Sequence, residues 1–311
     1  MKGLVIYNPT AGPWDVKREL QQVRQELAQC GWSLDIELSG CVKDVSRLAR
    51  QAASAQLDAV WAAGGDGTVR EVVNGLVGTE TAMGVLPVGS RNVWARQLNL
   101  PVFSLAHPFH LREAAVSQAR GVVRPVDVGQ VGSQYFLLWA GIGFDAYVTK
   151  EMEPRHRLTK RLGTLPYIVA SLMLARDFSG VRVRMILDGR IVRGRVVLAV
   201  VSNTQMYAAF QMADHARLDD GLLDLFIFKG TGFSYILRHA IKVFSGRHLQ
   251  DPKVVHRQVR QVAVWAEQPM DVQADGDPAG TTPISLRVVP RALRILVPPQ
   301  SPNHLFSSEV R

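Results

Sequence analysis

AAGGDGTVREVVNGL, residues 62–76, places Gly64, Gly65, Gly67 and one carboxylate, Asp66, between an apolar run and an amphipathic repeat. The apolar run AVWAAGG (59–65) reads as a buried strand and 68–77 as a helix. A strand that delivers a glycine-rich turn into a helix N-terminus presents backbone N–H groups and the positive end of the helix dipole. Glycine adds no side chain, so phosphate oxygens reach that backbone unobstructed. Asp66 narrows the chemistry, because a carboxylate beside phosphates is repelled unless a metal ion or an attacking hydroxyl lies between them. The bland reading of the same residues is a tight strand–helix connection.

Working outward, KGLVIY (2–7) reads as a strand ending in the turn cluster NPTAGP, and 15–29 as a helix through Val16, Leu20, Val23 and Leu27. SLDIEL (33–38) alternates as a second strand, 44–55 reads as a helix, and AMGVLPVGS (82–90) as a fourth strand with its turn. Strands alternating with helices of this length predict βαβ units and a parallel sheet over about the first 120 residues. The pattern then changes to short strands between turn signals, interrupted by helical stretches near 159–176 and 233–245. That half is expected to be an all-β, sandwich-like domain. The expected boundaries are 1–123 for the α/β domain, 124–297 for the β-rich domain and 298–311 for a loosely packed Pro/Ser-rich tail.

At 311 residues, 47% of them hydrophobic, the chain has length and apolar content for two cores. No apolar run reaches the roughly 20 residues of a spanning helix; YIVASLMLA (167–175) stops short. The N-terminal apolar segment is too short for a secretory signal, so a cytoplasmic protein is expected. Cys30 and Cys41 lack metal-ligand spacing. The net charge of +9 calls for an acidic partner, and KEMEPRHRLTKR (150–161) and DGRIVRGRV (188–196) concentrate it, unless they are merely solvated surface.

The common nucleotide signatures are excluded or out of context. G-x-x-x-x-G-K-[ST] is absent, and GIGFDA (141–146), which fits G-x-G-x-x-A, lies in the β-rich half without a βαβ unit. YNPTAG (7–12) and LPVGSRN (86–92) are polar turns off the first and fourth strands. Ligands bind beyond the carboxyl ends of the strands of an open parallel sheet, so these turns and the G-G-D-G-T turn are expected to converge.

N-P-T-A-G, then G-G-D-G-T-x-x-E-x-x-N-G-L, then L-P-x-G-S-x-N-x-x-A-R-x-L resembles the diacylglycerol kinase catalytic family, which includes bacterial soluble lipid kinases and the sphingosine and ceramide kinases. GIGFDA (141–146), KRLGTLPY (160–167), LDDGLLDL (218–225) and ADGDP (274–278) continue the likeness in the family's order. NAD kinases share the fold and the G-G-D-G-T, but the second-half motifs are similar to the lipid branch. The resemblance implies ATP- and Mg²⁺-dependent phosphorylation of a lipid hydroxyl in a cleft between the domains. It places Asn8, Pro9, Thr10, Ala11, Gly12, Ser39, Gly64, Gly65, Asp66, Gly67, Thr68, Glu71, Ser90 and Asn92 at the nucleotide. Asp66, Asp127 and Asp275 match acids around the nucleotide–metal complex, and Asp277 matches the general base. Asp220, with the carbonyls of Arg217 and Leu222, matches a structural metal site; a plain Asp-Gly turn stays open there. The implied partners are a lipid and an anionic membrane surface met peripherally, with no nucleic acid; a homodimer stays open.

The departures from the family pattern are specific. Arg70 stands where Asn is usual, Val93 where an Asp is usual, and Asp277 is one methylene shorter than the usual Glu. They keep two alternatives in view: a weakly active or non-catalytic relative, and a kinase of a soluble acceptor. His107 and His110 are spaced H-x-x-H without an acid partner and read as structural or surface, and the Trp and Phe residues as core.

Overall fold

The computed structural model describes residues 1–12, 15–104, 110–151, 173–176, 178–207 and 210–307. The chain forms two compact units, 1–126 together with 291–311, and 127–290.

In the first unit, β1 (Lys2–Tyr7), β2 (Ser33–Leu38), β3 (Ala59–Gly64) and β4 (Ala82–Pro87) form a parallel sheet in the order β4–β3–β1–β2. β3 and β4 are buried along their whole lengths and β1 at all but its first residue, which is why they read as continuous apolar runs. β2, at the edge, is mostly open and alternates. Helices α1 (Lys17–Gln29) and α5 (His110–Ala119) supply Leu20, Val23, Leu27, Leu111 and Ala115 to a core shared with Val5, Tyr7, Trp61 and Leu86. Helices α2 (Val42–Ser54) and α3 (Asp66–Leu76) pack on one another at Gly75, where a Cβ would lie 2.5 Å from that of Ala49. The sequence placed the start of α3 two residues late. Gly65 is its N-cap, so Asp66, Gly67 and Thr68 form its first turn rather than a loop before it.

In the second unit the strands pair antiparallel in the order Asp277–Thr281 (β16), Asp271–Ala274 (β15), Trp139–Gly143 (β7), Arg190–Ser202 (β9), Val181–Leu187 (β8), Gln261–Ala266 (β14) and Ile284–Val297 (β17). β9 changes neighbours along its length: residues 190–196 pair with β8, and 198–202 with β7 on one edge and β12 (Leu223–Lys229) on the other. A long strand shared in this way turns the corner of a sandwich. Ile142, Val183, Met185, Val201, Leu225, Val264 and Leu286 belong to the apolar core this creates. The helices of this unit among the described residues include α6 (Phe144–Glu151) and one over Gly232–Phe244, here α7, close to the helical stretch read at 233–245.

The end of the chain differs from its sequence reading. Residues 291–311 belong to the first unit, where Arg294 and Ile295 of β17 pair in parallel with Ala82 and Met83. Of the segment read as a loose tail, the described residues 298–307 are packed: Leu305 and Phe306 are buried, Arg124 stacks 4.6 Å over the Phe306 ring, and Ser301 Oγ donates to Leu98 O. Prolines and serines gave no apolar periodicity there, so only long-range contacts reveal the order. KRLGTLPY, His107 and most of the helical stretch at 159–176 lie outside the described residues.

Candidate active site

The first group of site residues lies at the carboxyl ends of the parallel strands, and local hydrogen bonds tie its turns together. After β1, Asn8 donates its backbone N–H to Ala63 O, at 3.1 Å, while its side-chain Nδ2 donates to Thr68 Oγ1 at 3.3 Å. Its Oδ1 accepts from Thr10 N–H and Thr10 Oγ1, at 3.0 and 2.7 Å, closing the N-P-T turn. Gly12, at φ +73°, lies so close to the next turn that a Cβ would sit 2.3 Å from Val88 O. After β4, the N–H groups of Val88 and Gly89 both donate to Gly64 O, and Asn92 Nδ2 donates to Gly89 O at 2.6 Å. Ser39, past the end of β2, is buried and bonds to Tyr7 O through its N–H at 2.9 Å. The three polar turns therefore converge as expected.

The glycines serve that convergence in separable ways. A Cβ on Gly64 would strike Thr68 at 2.2 Å, and one on Gly89 would lie 2.5 Å from Gly65 Cα, so these two permit backbone contact within the protein. A Cβ on Gly67 would meet nothing within 4 Å, and Gly67 is exposed in the first turn of α3. Thr10 and Ser90 are exposed as well, whereas Asn8, Thr68 and Asn92 are buried. The open rim thus consists of short polar side chains and a helix N-terminus whose first N–H groups lack intrahelical partners, a surface suited to anionic oxygens.

Asp66 is turned inward. Its Oδ1 accepts from Trp94 N–H at 3.3 Å, at the start of α4 (Val93–Gln97), so it joins the N-termini of two helices. Burial pushes its pKa above the ordinary carboxylate value, while the N–H groups of Val93 and Trp94 and the charge of Arg91 act in the opposite direction. The departures at 70 and 93 are absorbed by the fold. Val93 is a buried core residue, and Arg70 pairs with Glu71 at 2.9 Å.

The second group lies in unit 2, around two Asp-Gly turns. Asp127, on β5 (Val122–Val131), is fully buried; its Oδ2 accepts Gly221 N–H at 2.6 Å and its N–H donates to Leu218 O at 2.6 Å. Asp220 Oδ1 accepts Leu222 N–H at 3.0 Å, so the Asp-Gly turn forms and is fastened to Asp127. Arg217 is exposed beside it. The Asp220 pKa is raised, first by burial, then by the charges of Asp127, Asp224 and Asp219, against the Leu222 N–H. Among the described residues no three His, Cys, Asp or Glu side chains gather as a metal site. A site built from one carboxylate and main-chain carbonyls, as hard cations accept, needs no such cluster.

The other turn is Asp275–Gly276 between β15 and β16. Both residues have positive φ, +48° and +87°, the conformation of a type I′ hairpin, which favours Asp-Gly. The Asp275 carboxylate accepts three backbone N–H groups, from Leu137 (2.7 Å), Leu138 (2.9 Å) and Trp139 (3.0 Å). Both its oxygens are committed to the segment leading into β7, whereas the sequence reading aimed them at a nucleotide-bound metal. Asp277, the first residue of β16, is half-buried.

Sequence reasoning missed the group that grips this hairpin from below. Gln273, buried on β15, accepts Gly276 N–H on Oε1 at 2.7 Å and donates Nε2 to the buried Asp145 Oδ2 at 2.6 Å. Asp145 is the acid of GIGFDA, and a Cβ on Gly141 would lie 2.2 Å from its Oδ2. That glycine motif therefore serves internal packing next to an antiparallel strand, as its context predicted. Asn203 was also missed: it donates Nδ2 to Asp127 O and Leu137 O, both at 3.0 Å, linking the two Asp-Gly regions. Its signal was the polar run Ser202–Gln205 closing an apolar strand, all four buried. His110 is buried, with Nε2 3.2 Å from Pro87 O, in agreement with a structural reading.

The fold and these turns define a two-part protein: an α/β unit with polar turns clustered at the carboxyl ends of its parallel strands, and a β-sandwich-like unit. Residues 2–131 match the family model of the diacylglycerol kinase catalytic domain, and 139–297 that of the YegS C-terminal NAD kinase beta sandwich-like domain. The diacylglycerol kinase of Bacillus subtilis (strain 168) is 31% identical over 97% of this chain and 98% of its own length. That of Staphylococcus carnosus (strain TM300) is 27% identical over 96% of both. Two crystal structures from Bacillus anthracis str. Sterne, at 24% identity, superpose with TM-scores of 0.79 and 0.73, each covering 97% of this chain and 98% of its own. The chain belongs to the diacylglycerol kinase family. As a member it is a lipid kinase, a phosphotransferase acting on an alcohol group.

Proposed function

We propose that the protein transfers the γ-phosphoryl group of ATP to the hydroxyl of diacylglycerol or a closely related lipid at an anionic membrane surface, which it meets peripherally. The observation that carries this reading is the convergence of the Asn8–Gly12, Gly65–Thr68 and Gly89–Asn92 turns at the ends of three parallel strands. Their exposed members, with Pro9, Ala11, Ser90 and the first turn of α3, would hold the nucleotide phosphates, with Ser39 and Glu71 supporting the turns from behind. Asn92 Oδ1 is buried and has no hydrogen-bond partner among the described residues, as expected of an acceptor left for a ligand or its water.

In the transfer, the acceptor oxygen forms a bond to the γ-phosphorus as the bond from that phosphorus to the bridging oxygen breaks, and ADP leaves. The hydroxyl proton passes to a carboxylate, and we assign that part to Asp277. Asp275 then acts by position, holding the hairpin to residues 137–139, with Gln273 and Asp145 beneath. Positioning and fixed dipoles supply most of the acceleration in such reactions. Mg²⁺ fits the donor sets present, hard carboxylates in an acid-rich setting, where burial first and the neighbouring acids second raise the Asp220 pKa. Asp66 would lie beside the nucleotide-bound ion; in the other unit Asp127 fastens the turn in which Asp220, with the carbonyls of Arg217 and Leu222, would hold a structural one. When bound, the ion neutralises charge on the phosphates. The test is incubation with labelled ATP, Mg²⁺ and a panel of lipid and water-soluble alcohols. Label in diacylglycerol or a related lipid supports the reading; label only in water-soluble acceptors, or none, overturns it.

A further inference from the structure

Helix α7 carries its apolar residues on two faces, and among the described residues only one is buried by the fold. Ile236 and His239 are buried; His239 Nε2 bonds to Lys229 O at 2.9 Å and its ring meets Phe228 edge-on. On the other side Phe233 (37% exposed), Leu237 (37%), Ile241 (58%) and Phe244 (54%) recur at four, four and three residues, forming one stripe along the helix. Four large apolar side chains in a row facing water are a liability unless something covers them.

The charge around the stripe indicates what does. From Lys229 to Gln250 there is no acidic residue, while Lys229, Arg238, Lys242 and Arg247 are basic. The first acid beyond, Asp251, is buried and bound to Arg238 by two bonds of 2.7 and 2.8 Å. A second copy packed on this face about a two-fold axis would set cations against cations. An anionic bilayer satisfies both features, taking the apolar stripe into its headgroup–acyl boundary and the basic rim at its surface.

The stripe is also continuous with the proposed catalytic hairpin. Phe244 packs on Phe210, with ring centroids 4.3 Å apart. Phe210 pairs with Tyr207 across a two-stranded ribbon, and Tyr207 meets Trp139 at 5.0 Å. Trp139 in turn donates its N–H to Asp275. An aromatic path thus leads from the helix to the turn that carries Asp277.

We propose that the Phe233–Leu237–Ile241–Phe244 face of α7 is the surface by which this protein docks on anionic bilayers, where its lipid is presented. The inference rests on the lipid-kinase reading for the identity of its partner. The test is co-sedimentation with vesicles of equal phosphatidylglycerol and phosphatidylcholine, and of phosphatidylcholine alone. The parent should bind the anionic vesicles in preference. Leu237→Glu with Ile241→Glu, at unchanged thermal unfolding, should weaken that binding by about tenfold or more. Ile241→Trp, a conservative change at an exposed site, should keep the binding and gain fluorescence quenching by brominated lipid; failure to gain it overturns the proposal whether or not the double variant folds. The double variant should phosphorylate detergent-dispersed short-chain diacylglycerol at the parental rate and lose activity only on vesicles. A folded double variant that binds vesicles like the parent overturns the docking face, as does a dimer that the substitutions dissolve without touching vesicle binding. Stripe-dependent vesicle binding by a protein that phosphorylates no lipid would sustain the docking face while removing the kinase reading.

Discussion

Asp66 and Asp275 sit in turns that read alike, G-D-G in one unit and A-D-G-D in the other, yet they are held in different ways. Asp66 begins a helix and accepts from the start of a second helix, in a setting where burial raises its pKa despite those N–H groups. Asp275 turns a type I′ hairpin and spends both oxygens on three N–H groups of a neighbouring segment. A carboxylate's role follows from how completely its oxygens are satisfied. By that criterion Asp275 is scaffold and Asp66 is held at a cost that a bound cation would offset; the base is proposed to be Asp277, the next acid of the hairpin.

The largest effect that could break this comparison is at the end of the hairpin. Asp277→Asn should lower kcat by about 10²–10⁴-fold with nucleotide affinity unchanged, because general-base assistance is of that size. Asp277→Glu should keep activity. Turnover of lipid by Asp277→Asn at the parental rate would place the base elsewhere.

Next comes the scaffold. Asp275→Ala leaves three N–H groups without their acceptor, and each unsatisfied group costs about 1–3 kcal/mol if water does not replace the partner. We expect a lowered unfolding midpoint in denaturant titration and faster amide exchange at Leu137–Trp139. Parental exchange there would show that the carboxylate is dispensable to the segment.

The phosphate turn is tested more cleanly at Gly67 than at its neighbour. A side chain at Gly65 approaches Gly89 Cα at 3.4 Å, whereas Gly67 faces open space. Gly67→Val should reduce ATP affinity by about tenfold or more, about 1.4 kcal/mol, with little change in stability. Calorimetry showing parental affinity in the folded variant would remove the phosphate assignment.

The smallest effect concerns Asp66 and carries a sign. Its folded pKa is raised above the ordinary 3.8, so its neutral form is the one the fold prefers. Below the ordinary value the carboxyl is neutral in folded and unfolded chains alike and nothing is lost. As pH rises through the folded pKa, the fold must hold an ionised group, and stability falls. Asp66→Asn should therefore raise the nucleotide-free Tm, by more at neutral pH than near pH 4. A gain independent of pH would point to packing instead.

Much of the first unit was legible because its signals are local. Parallel strands covered on both faces read as apolar runs, and glycine–polar turns mark their carboxyl ends. The Asp-Gly pair at 275–276 carries a local hairpin signal too, since few residue pairs tolerate two positive φ values in succession, but it was read only as part of the family motif. The error at the start of α3 arose because Gly and Asp are weak helix formers, yet a first turn asks little of propensity when its N–H groups have no intrahelical acceptor in any case.

What only the tertiary structure decided were partnerships between residues far apart in the chain. Asp275 meets Leu137 across 138 positions, and Ser301 meets Leu98 across 203. Nothing local distinguishes a carboxylate about to receive three backbone N–H groups from one that faces solvent, so sequence alone assigned Asp275 to a metal. The same holds for the last residues, which lack periodicity yet are held in the first unit by Leu305, Phe306 and the pairing of Arg294 with Ala82. Periodicity and turn chemistry are encoded within a few residues and determine elements. Satisfaction of buried polar groups is settled only when distant segments are brought together, and that determines which acids are committed to holding the backbone.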